Sequence, residues 1–451
     1  MGSVGINFGS ATSGAGFDVA STVSSILAIQ RTPETAWAAQ TTALQAQDTV
    51  LTKLGSNVSA VSTALASLTS FDGMFSQVQG ASSNTDAIVL TSVGSTAQSG
   101  SHTLTVQHLA TTAQQSSSAV AASATLSGTL TLQTAGASAA TTLSIASGSS
   151  LSQVATQINN SSAGVKATVL TDSSGQYLSL TSRQSGAAAD LIVTSNAQNS
   201  NGTALSFTAS QTGTDAKYRL DGVDLTSSSN SVTNALAGVS FQLTGVSSSG
   251  VTVQIAPDES GIVTALQNFV SAYNTLSTSL TAQEGKDSAG NAEPLYGSTI
   301  ISEIQSSLSA AFAFQPSGSA NGLSLASLGL ALSQDGTLSL DTGTLGATLA
   351  SNFEGVSQSF LNAGSFGQNL TTALNGTSAT GTGTIGLALN NNSSEESTLA
   401  NNKTTLEARL ATYSANLTKE LTLANQILQA IPQQLNEVNQ MFYAISGYKS
   451  S

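Results

Sequence analysis

Residues 394–446 read SEESTLANNKTTLEARLATYSANLTKELTLANQILQAIPQQLNEVNQMFYAIS. Apolar residues fall there at Leu399, Leu406, Leu410, Tyr413, Leu417, Leu421, Ala424, Leu428, Ile431, Leu435, Val438, Phe442 and Ile445 in a regular run. After a first step of seven, the spacings are 4, 3, 4, 4, 3, 4, 3, 4, 3, 4 and 3. That is a heptad seam with one stutter, the periodicity of a coiled-coil helix. Ser393 and Glu396 form a candidate capping box at its start, each able to satisfy a free backbone N–H. Such a helix reaches about 75 Å, longer than an ordinary domain helix. A seam of that length needs a partner.

The other end of the chain offers one. Asp18 is a good N-cap for a short helix marked by Val19, Val23, Ile26 and Ile29 and ending before Pro33. With Thr32 as cap and Pro33 in the first turn, a second helix carries Trp37, Leu44, Leu51, Leu54, Val58, Val61, Leu65 and Leu68. The spacings 7, 7, 3, 4, 3, 4, 3 make a second heptad seam. Two seams, one per terminus, pack most simply on each other as a stalk. The candidate assembly residues are Leu44, Leu51, Leu54, Val58, Val61 and Leu65 from the first seam. The second contributes Leu406, Leu410, Tyr413, Leu417, Leu421, Leu428, Leu435, Val438 and Phe442.

Between the seams the pattern changes near Gly80. From 84 to 257 it alternates with period two, broken by Gly, Asn and Ser, which predicts β structure. Candidate strands are 87–92, 102–109, 129–133, 141–146, 166–171, 177–182, 191–194, 205–208, 217–220, 223–226, 239–244 and 251–255. Ser173-Ser174-Gly175 and Asp221-Gly222 read as hairpin turns, and one short helix is expected over 150–159. Helices return at 258–280 and 299–312, with a short strand at 338–340. Residues 341–392 read as short helices and a Gly/Thr-rich connector, and 1–17 as a disordered Gly/Ser-rich start.

The expected fold is therefore α+β and multidomain: a terminal helical coiled-coil or bundle stalk with an inserted head of two small β-rich domains. The predicted division is 1–45 with 400–451 as a coiled-coil leg and 46–80 with 258–399 as a helical stalk domain. The head is 81–125 with 213–257, interrupted by a second β-rich domain at 126–212.

Composition narrows the function. The chain has 451 residues, of which 8% are charged, against about 25% in typical globular domains. A surface solvated by hydroxyls and amides suits a secreted or assembled structural protein. Net charge is −13, from 24 acids and 11 bases, with no basic run. Nucleic-acid binding and attachment to anionic lipid are disfavoured. Cysteine is absent, which removes disulfides, thiolate nucleophiles and thiolate metal sites and fits export in an unfolded state. The opening MGSVGINFGSATSGAGF lacks the basic and apolar regions of a Sec-type leader, and no apolar run is long enough to span a membrane.

Chemistry-bearing motifs are few. Gly381-Thr-Gly-Thr-Ile-Gly386 matches the dinucleotide pattern, with Glu407 beyond it, but no strand precedes it and no βαβ unit surrounds it. His102 and His108 lie six residues apart along one strand, ~20 Å apart and unable to share a metal. No nucleophile elbow occurs. Asp221 and Asp224 flank a hairpin, and Asp258, Glu259, Glu395 and Glu396 occupy predicted helix starts, where turn and cap roles account for them. The reading is a non-enzyme with no catalytic residues, no metal site and no cofactor.

Several blocks, in order, resemble the flagellar hook-associated protein 2 family. They are Ser13-Gly-Ala-Gly-Phe-Asp-Val19 with Ile26-Leu27 and Arg31-Thr-Pro33, then 44–68, His102-Thr-Leu-Thr-Val-Gln-His-Leu-Ala110, 151–180 and 215–243. Phe269-Val-Ser-Ala-Tyr-Asn-Thr-Leu276, Pro294-Leu-Tyr-Gly-Ser-Thr299, Leu328-Gly-Leu330 and Asp335-Gly-Thr-Leu-Ser-Leu340 complete the set. Phe17 stands where the family usually has Leu, and Pro432 interrupts a terminal helix that is usually unbroken. The resemblance implies a protein exported by the flagellar type III route to the extracellular tip of the bacterial flagellum. There it implies a homo-oligomeric cap ring, a pentamer favoured, with heads as a plate and helical termini as legs. The implied partners are further copies of itself, flagellin, whose assembly it promotes, the hook-associated junction proteins, and an export chaperone on the C-terminal helix. Alternatives are an extracellular adhesin whose β-rich head binds glycan or mucin, and a flagellin or hook–filament junction protein.

Overall fold

The protein is described from a computed structural model covering residues 15–313, 315 and 323–446. It divides into two units, Met1–Ser70 with Val263–Ser451, and Phe71–Ile262. The helical unit begins at Asp18, whose carboxylate accepts from the Ser21 N–H at 3.2 Å and so starts α1 (Val19–Gln30). Arg31, in helical backbone, joins α1 to α2 (Thr32–Thr69), which carries Pro33 in its first turn, where a missing N–H costs nothing.

The β-rich unit is built on two cores. A five-stranded antiparallel sheet runs Val78–Ser82, Val251–Pro257, Gly100–His108, Ala216–Leu220, Val223–Ser227. A three-stranded sheet, Ser231–Leu236, Val239–Leu243, Ile88–Val93, supplies Ile88, Val239 and Phe241 to the same core as Leu104, Val106, Tyr218, Val253 and Ile255. Tyr218 and Phe241 meet edge-to-face with centroids 6.0 Å apart. The second core draws on residues 113–205, between the two halves of the first. There Leu126–Thr134, Thr141–Ser149, Val165–Asp172 and Gly175–Ser185 close over α3 (Leu151–Asn159). Ser150 and Gln153 form a full capping box at the start of α3. The alternating burial of these strands is what period-two patterning demands.

The remaining helices are α4 (Glu259–Ala282), α5 (Thr299–Phe312), α6 (Thr342–Leu361), α7 (Phe366–Ser378) and α8 (Thr384–Ser446), with a small hairpin of Leu330–Leu332 and Leu338–Leu340. Phe269 and Tyr273 of α4, Phe312 of α5, Phe360 of α6 and Phe366 of α7 form a continuous chain of ring contacts at 4.9–6.5 Å. Rings at those separations and tilts favour edge-to-face packing, and they tie four helices into one core. Burial of the Tyr273 phenol pushes its pKa up to about 12.

The α+β class with helical termini and an inserted β-rich region is what the chain adopts. Three local expectations are corrected. The Ser393–Glu396 capping box does not start the terminal helix: α8 begins at Thr384, so Glu395 and Glu396 lie well inside it. Arg31, not Thr32, is the residue ahead of α2. Strands at Val78–Ser82, Thr112–Ser117, Gln198–Asn199, Ser231–Leu236 and Leu330–Leu332 were not legible as such. Of the start expected to be disordered, residues 1–14 lie outside the described residues.

Candidate assembly surface

The two seams meet very different surroundings. In α2, Leu51, Leu54, Val58, Val61 and Leu65 are buried, together with Leu68, and Leu44 is half-buried. Their cover comes from the unit's own α7 and α8. Asn57 adds a polar tie, donating to Ser279 Oγ of α4 at 2.9 Å.

Along α8 burial falls steadily toward the C-terminus. Ile385, Ala388 and Leu399 are buried where α8 lies on α2, and Asn392 Nδ2 donates to Asp48 Oδ1 at 2.7 Å. Next, α1 takes over as the covering helix: Leu410 is buried, and Leu406, Leu417, Leu421 and Leu428 are half-buried. Tyr413 is exposed within this stretch. The Phe17 N–H donates to Asn425 Oδ1 at 2.8 Å, and any side chain at Gly16 would collide with Asn425. Past that point the seam residues Leu435, Val438 and Phe442 are 47%, 57% and 64% exposed.

A second stripe lies partly outside the heptad run. Leu423, Ile427, Met441 and Tyr443, none of them in the seam, are exposed, as is the seam residue Ile445. Leu423, Ile427 and Met441 recur at helical spacing with the seam residues Val438 and Ile445 along one face. The signal was present in the sequence as an apolar segment too broad for one seam. The helix continues through Pro432 to Ser446.

Elsewhere among the described residues the titratable side chains serve turns and surface pairs. His102 Nδ1 lies 2.8 Å from Asp221 Oδ2, and the Thr103 N–H donates to Asp221 Oδ1 at 2.8 Å. Asp221 adopts φ 51° and Gly222 φ 86° in the hairpin between Ala216–Leu220 and Val223–Ser227, so the pair clamps a left-handed turn onto the neighbouring strand. The hydrogen bond from His102, then that from Thr103, holds the Asp221 carboxyl below its ordinary pKa. His108 is exposed. Arg219 and Asp224 make a bidentate surface pair at 2.8 and 2.9 Å, which holds the Asp224 carboxyl down in the same way. Gly381–Gly386 runs from the link after α7 into the first turn of α8, with a helix and not a strand directly before it, so the dinucleotide pattern lacks its fold. Among the described residues there is no group of three potential metal ligands, and no helix is long and apolar enough to cross a membrane.

Comparison with known proteins gives a consistent picture. Family models described as flagellar hook-associated protein 2 N-terminus and C-terminus match residues 15–113 and 213–433, and the flagellin hook IN motif matches 129–184. The chain is similar to the B-type flagellar hook-associated protein 2 of Pseudomonas aeruginosa, 31% identical over 149 residues and 31% of each chain. The A-type protein of that species is 25% identical over 240 residues, 52% of this chain and 50% of the relative. These matches span half or less of the two relatives' lengths. Among solved structures, the D1-D2-D3 domains of the flagellar cap protein FliD from Escherichia coli align with TM-score 0.54 and 26% identity. That alignment covers 76% of this chain and 99% of the other. Two models of one family, matching in chain order and flanking the inserted β core, leave a single assignment: the chain belongs to the flagellar hook-associated protein 2 family.

Proposed function

We propose that this protein is a structural cap at the distal end of the bacterial flagellar filament. It assembles with copies of itself through its helical termini and promotes the addition of flagellin. The observation that carries the reading is the apolar end of α8, where Leu435, Val438, Phe442 and Ile445 lie exposed on a chain of this family. Each such side chain gains about 1.5–3 kcal/mol on full burial, so a helix end bearing several has a strong tendency to associate. The work is steric and conformational: a helix of marginal independent stability gains packing when it docks.

In this reading 1–45 with 400–451 is the leg and 46–80 with 258–399 the helical stalk domain. The segments 81–125 with 213–257, and 126–212, form the two-part head. Copies of the chain make a ring, a pentamer by preference, that touches flagellin and rests on the hook-associated junction proteins during assembly. An export chaperone shields the exposed end of α8 before type III export to the extracellular tip. The role is structural, without a cofactor.

The test is complementation of the source bacterium lacking this gene. The full chain should restore filaments. A chain lacking residues 400–451 should be exported and retain its β-rich unit, yet leave filaments absent and flagellin in the medium. Normal filaments from the truncated chain sink the leg assignment.

A further inference from the structure

Gln30, the last residue of α1, and residues 404–416 of α8 line an open groove of about 900 Å³. Of its apolar walls, Leu410 is buried, Leu406 is half-buried and Tyr413 is exposed. Arg409 alone is charged among the described residues that line it. It is exposed, and among the described residues it takes part in no ion pair or hydrogen bond. Further along the same helix, Glu437 is the only charged residue between 421 and 446. It is likewise exposed and without a partner among the described residues. Val438, Met441 and Phe442 beside it are exposed apolar side chains.

We propose that this groove receives the end of α8 from a second copy of the chain, with Glu437 of one copy meeting Arg409 of the other. The two surfaces match in kind: each carries one charge, of opposite sign, set among apolar side chains. Such complementarity fixes register and penalises like-charged pairings. A single chain cannot make the contact with itself. Positions 409 and 437 lie 28 residues apart on one continuous helix, about 42 Å along its axis. Residues 1–14 are no substitute occupant, because they contain no carboxylate for Arg409. The chain also meets α8 far from the groove at that end, where the Phe17 N–H donates to Asn425. Each copy gives one helix end and receives another, so the contact repeats through an assembly. The proposal deepens the cap reading and rests on its claim that copies associate through α8.

The test reverses one charge at a time in the full-length chain. Arg409→Glu and Glu437→Arg each set like charges together in every contact. Each should move the sedimentation association curve roughly tenfold to higher concentration, by less as salt is raised. An equimolar mixture of the two variants should regain association, because the helix end of each chain then meets the opposite charge in the other's groove. The double variant should regain it alone. Damage to either fold cannot be repaired by mixing, so rescue reports the contact itself. Single variants that associate like the wild type, or weakened variants that mixing does not rescue, overturn the proposal. Filaments restored by the full chain in the complementation test then still uphold the cap reading. A wild-type chain that stays single at every concentration refutes both the proposal and the claim that copies associate through α8.

Discussion

Replacing Val438 and Phe442 together by serine separates association from folding. In the single chain these side chains are 57% and 64% exposed, so more than half of their possible burial is unrealised. Full burial of such a side chain is worth about 1.5–3 kcal/mol. An interface covering both therefore loses about 2–3 kcal/mol in Val438→Ser/Phe442→Ser. That is roughly 30- to 150-fold in the association constant. Folding of the lone chain should barely notice. Serine, valine and phenylalanine have similar helix propensities, and exposed substitutions usually change stability by no more than about 0.5 kcal/mol. Sedimentation over a wide concentration range reads association, and thermal melts at concentrations where neither chain associates read folding, because association itself raises the melting temperature. The expected outcome is an association curve displaced to higher concentration with an unchanged melting temperature in the dilute samples. Identical association curves refute the claim that this stripe is an interface. A melting temperature lowered in the dilute samples refutes the claim that folding of the single chain does not use this stripe.

The buried seam should behave in the opposite way. Leu54→Ala in α2 removes a side chain only 1% exposed and should lower the unfolding free energy by about 2–5 kcal/mol, read by urea titration. Asp18→Ala deletes the cap of α1 and should cost about 1 kcal/mol, seen as faster amide exchange through Val19–Gln30. Tyr273 gives a pH signature at the alkaline end. Its pKa is raised from 10.0 to about 12 by burial, so its contribution is complete below pH 10 and is lost as pH climbs through 12. Relative to Tyr273→Phe, the wild type should lose about 2–3 kcal/mol over that window. Asp341 works in the other direction. Hydrogen bonds from the Thr344 hydroxyl and the Thr344 and Gly343 N–H groups hold its carboxyl below 3.8. Its contribution is present above that value and disappears on acidification, so the acid-side fall in melting temperature should be shallower in Asp341→Asn.

What the sequence reveals divides along physical lines. Helix α5 was legible to the residue, because Ile300, Ile304, Leu308 and Phe312 recur every four positions, and Ser298 caps its first turn by accepting from the Ile300 N–H. The Ser173–Ser174 and Asp221–Gly222 hairpins were legible because their turns demand particular residues. Thr112–Ser117 was not. Its sequence TAQQSS has no apolar alternation, and it is a strand only because its backbone pairs with Phe207–Gln211 on one side and Gly175–Ser185 on the other. The start of α8 failed for a related reason. Residues 384–393 include Gly386 and the run Asn390-Asn391-Asn392, poor helix formers alone, yet Ile385 and Ala388 are buried against the bundle and Asn392 is bonded to Asp48. A capping-box pattern such as Ser393–Glu396 arises easily in so serine-rich a chain. The break in α6 at Asn352, with φ −150° and its side chain accepting from the Gly355 N–H at 3.0 Å, left no periodic trace at all.

For the assembly residues the seam pattern specified which face is apolar, but not what covers it. The heptad runs of α2 and α8 look alike on paper. One is buried at Leu51–Leu65 by α7 and α8, and the other ends with Leu435, Val438 and Phe442 exposed beyond Asn425. Length explains the difference. α8 has 63 residues and meets Phe17, near the start of the described residues, at Asn425, so about twenty residues of α8 extend past α1. A helical segment of that length draws most of its stability from packing, and Pro432 removes one backbone hydrogen bond within it. Beyond the edge-to-face pair of Phe442 and Tyr443, with centroids 6.4 Å apart, apolar side chains on two neighbouring stripes add little to such a helix while they face solvent. Their stabilising value appears only against another apolar surface. The feature that makes the end of α8 weakest in a solitary chain is thus the one that would hold it most firmly in an assembly.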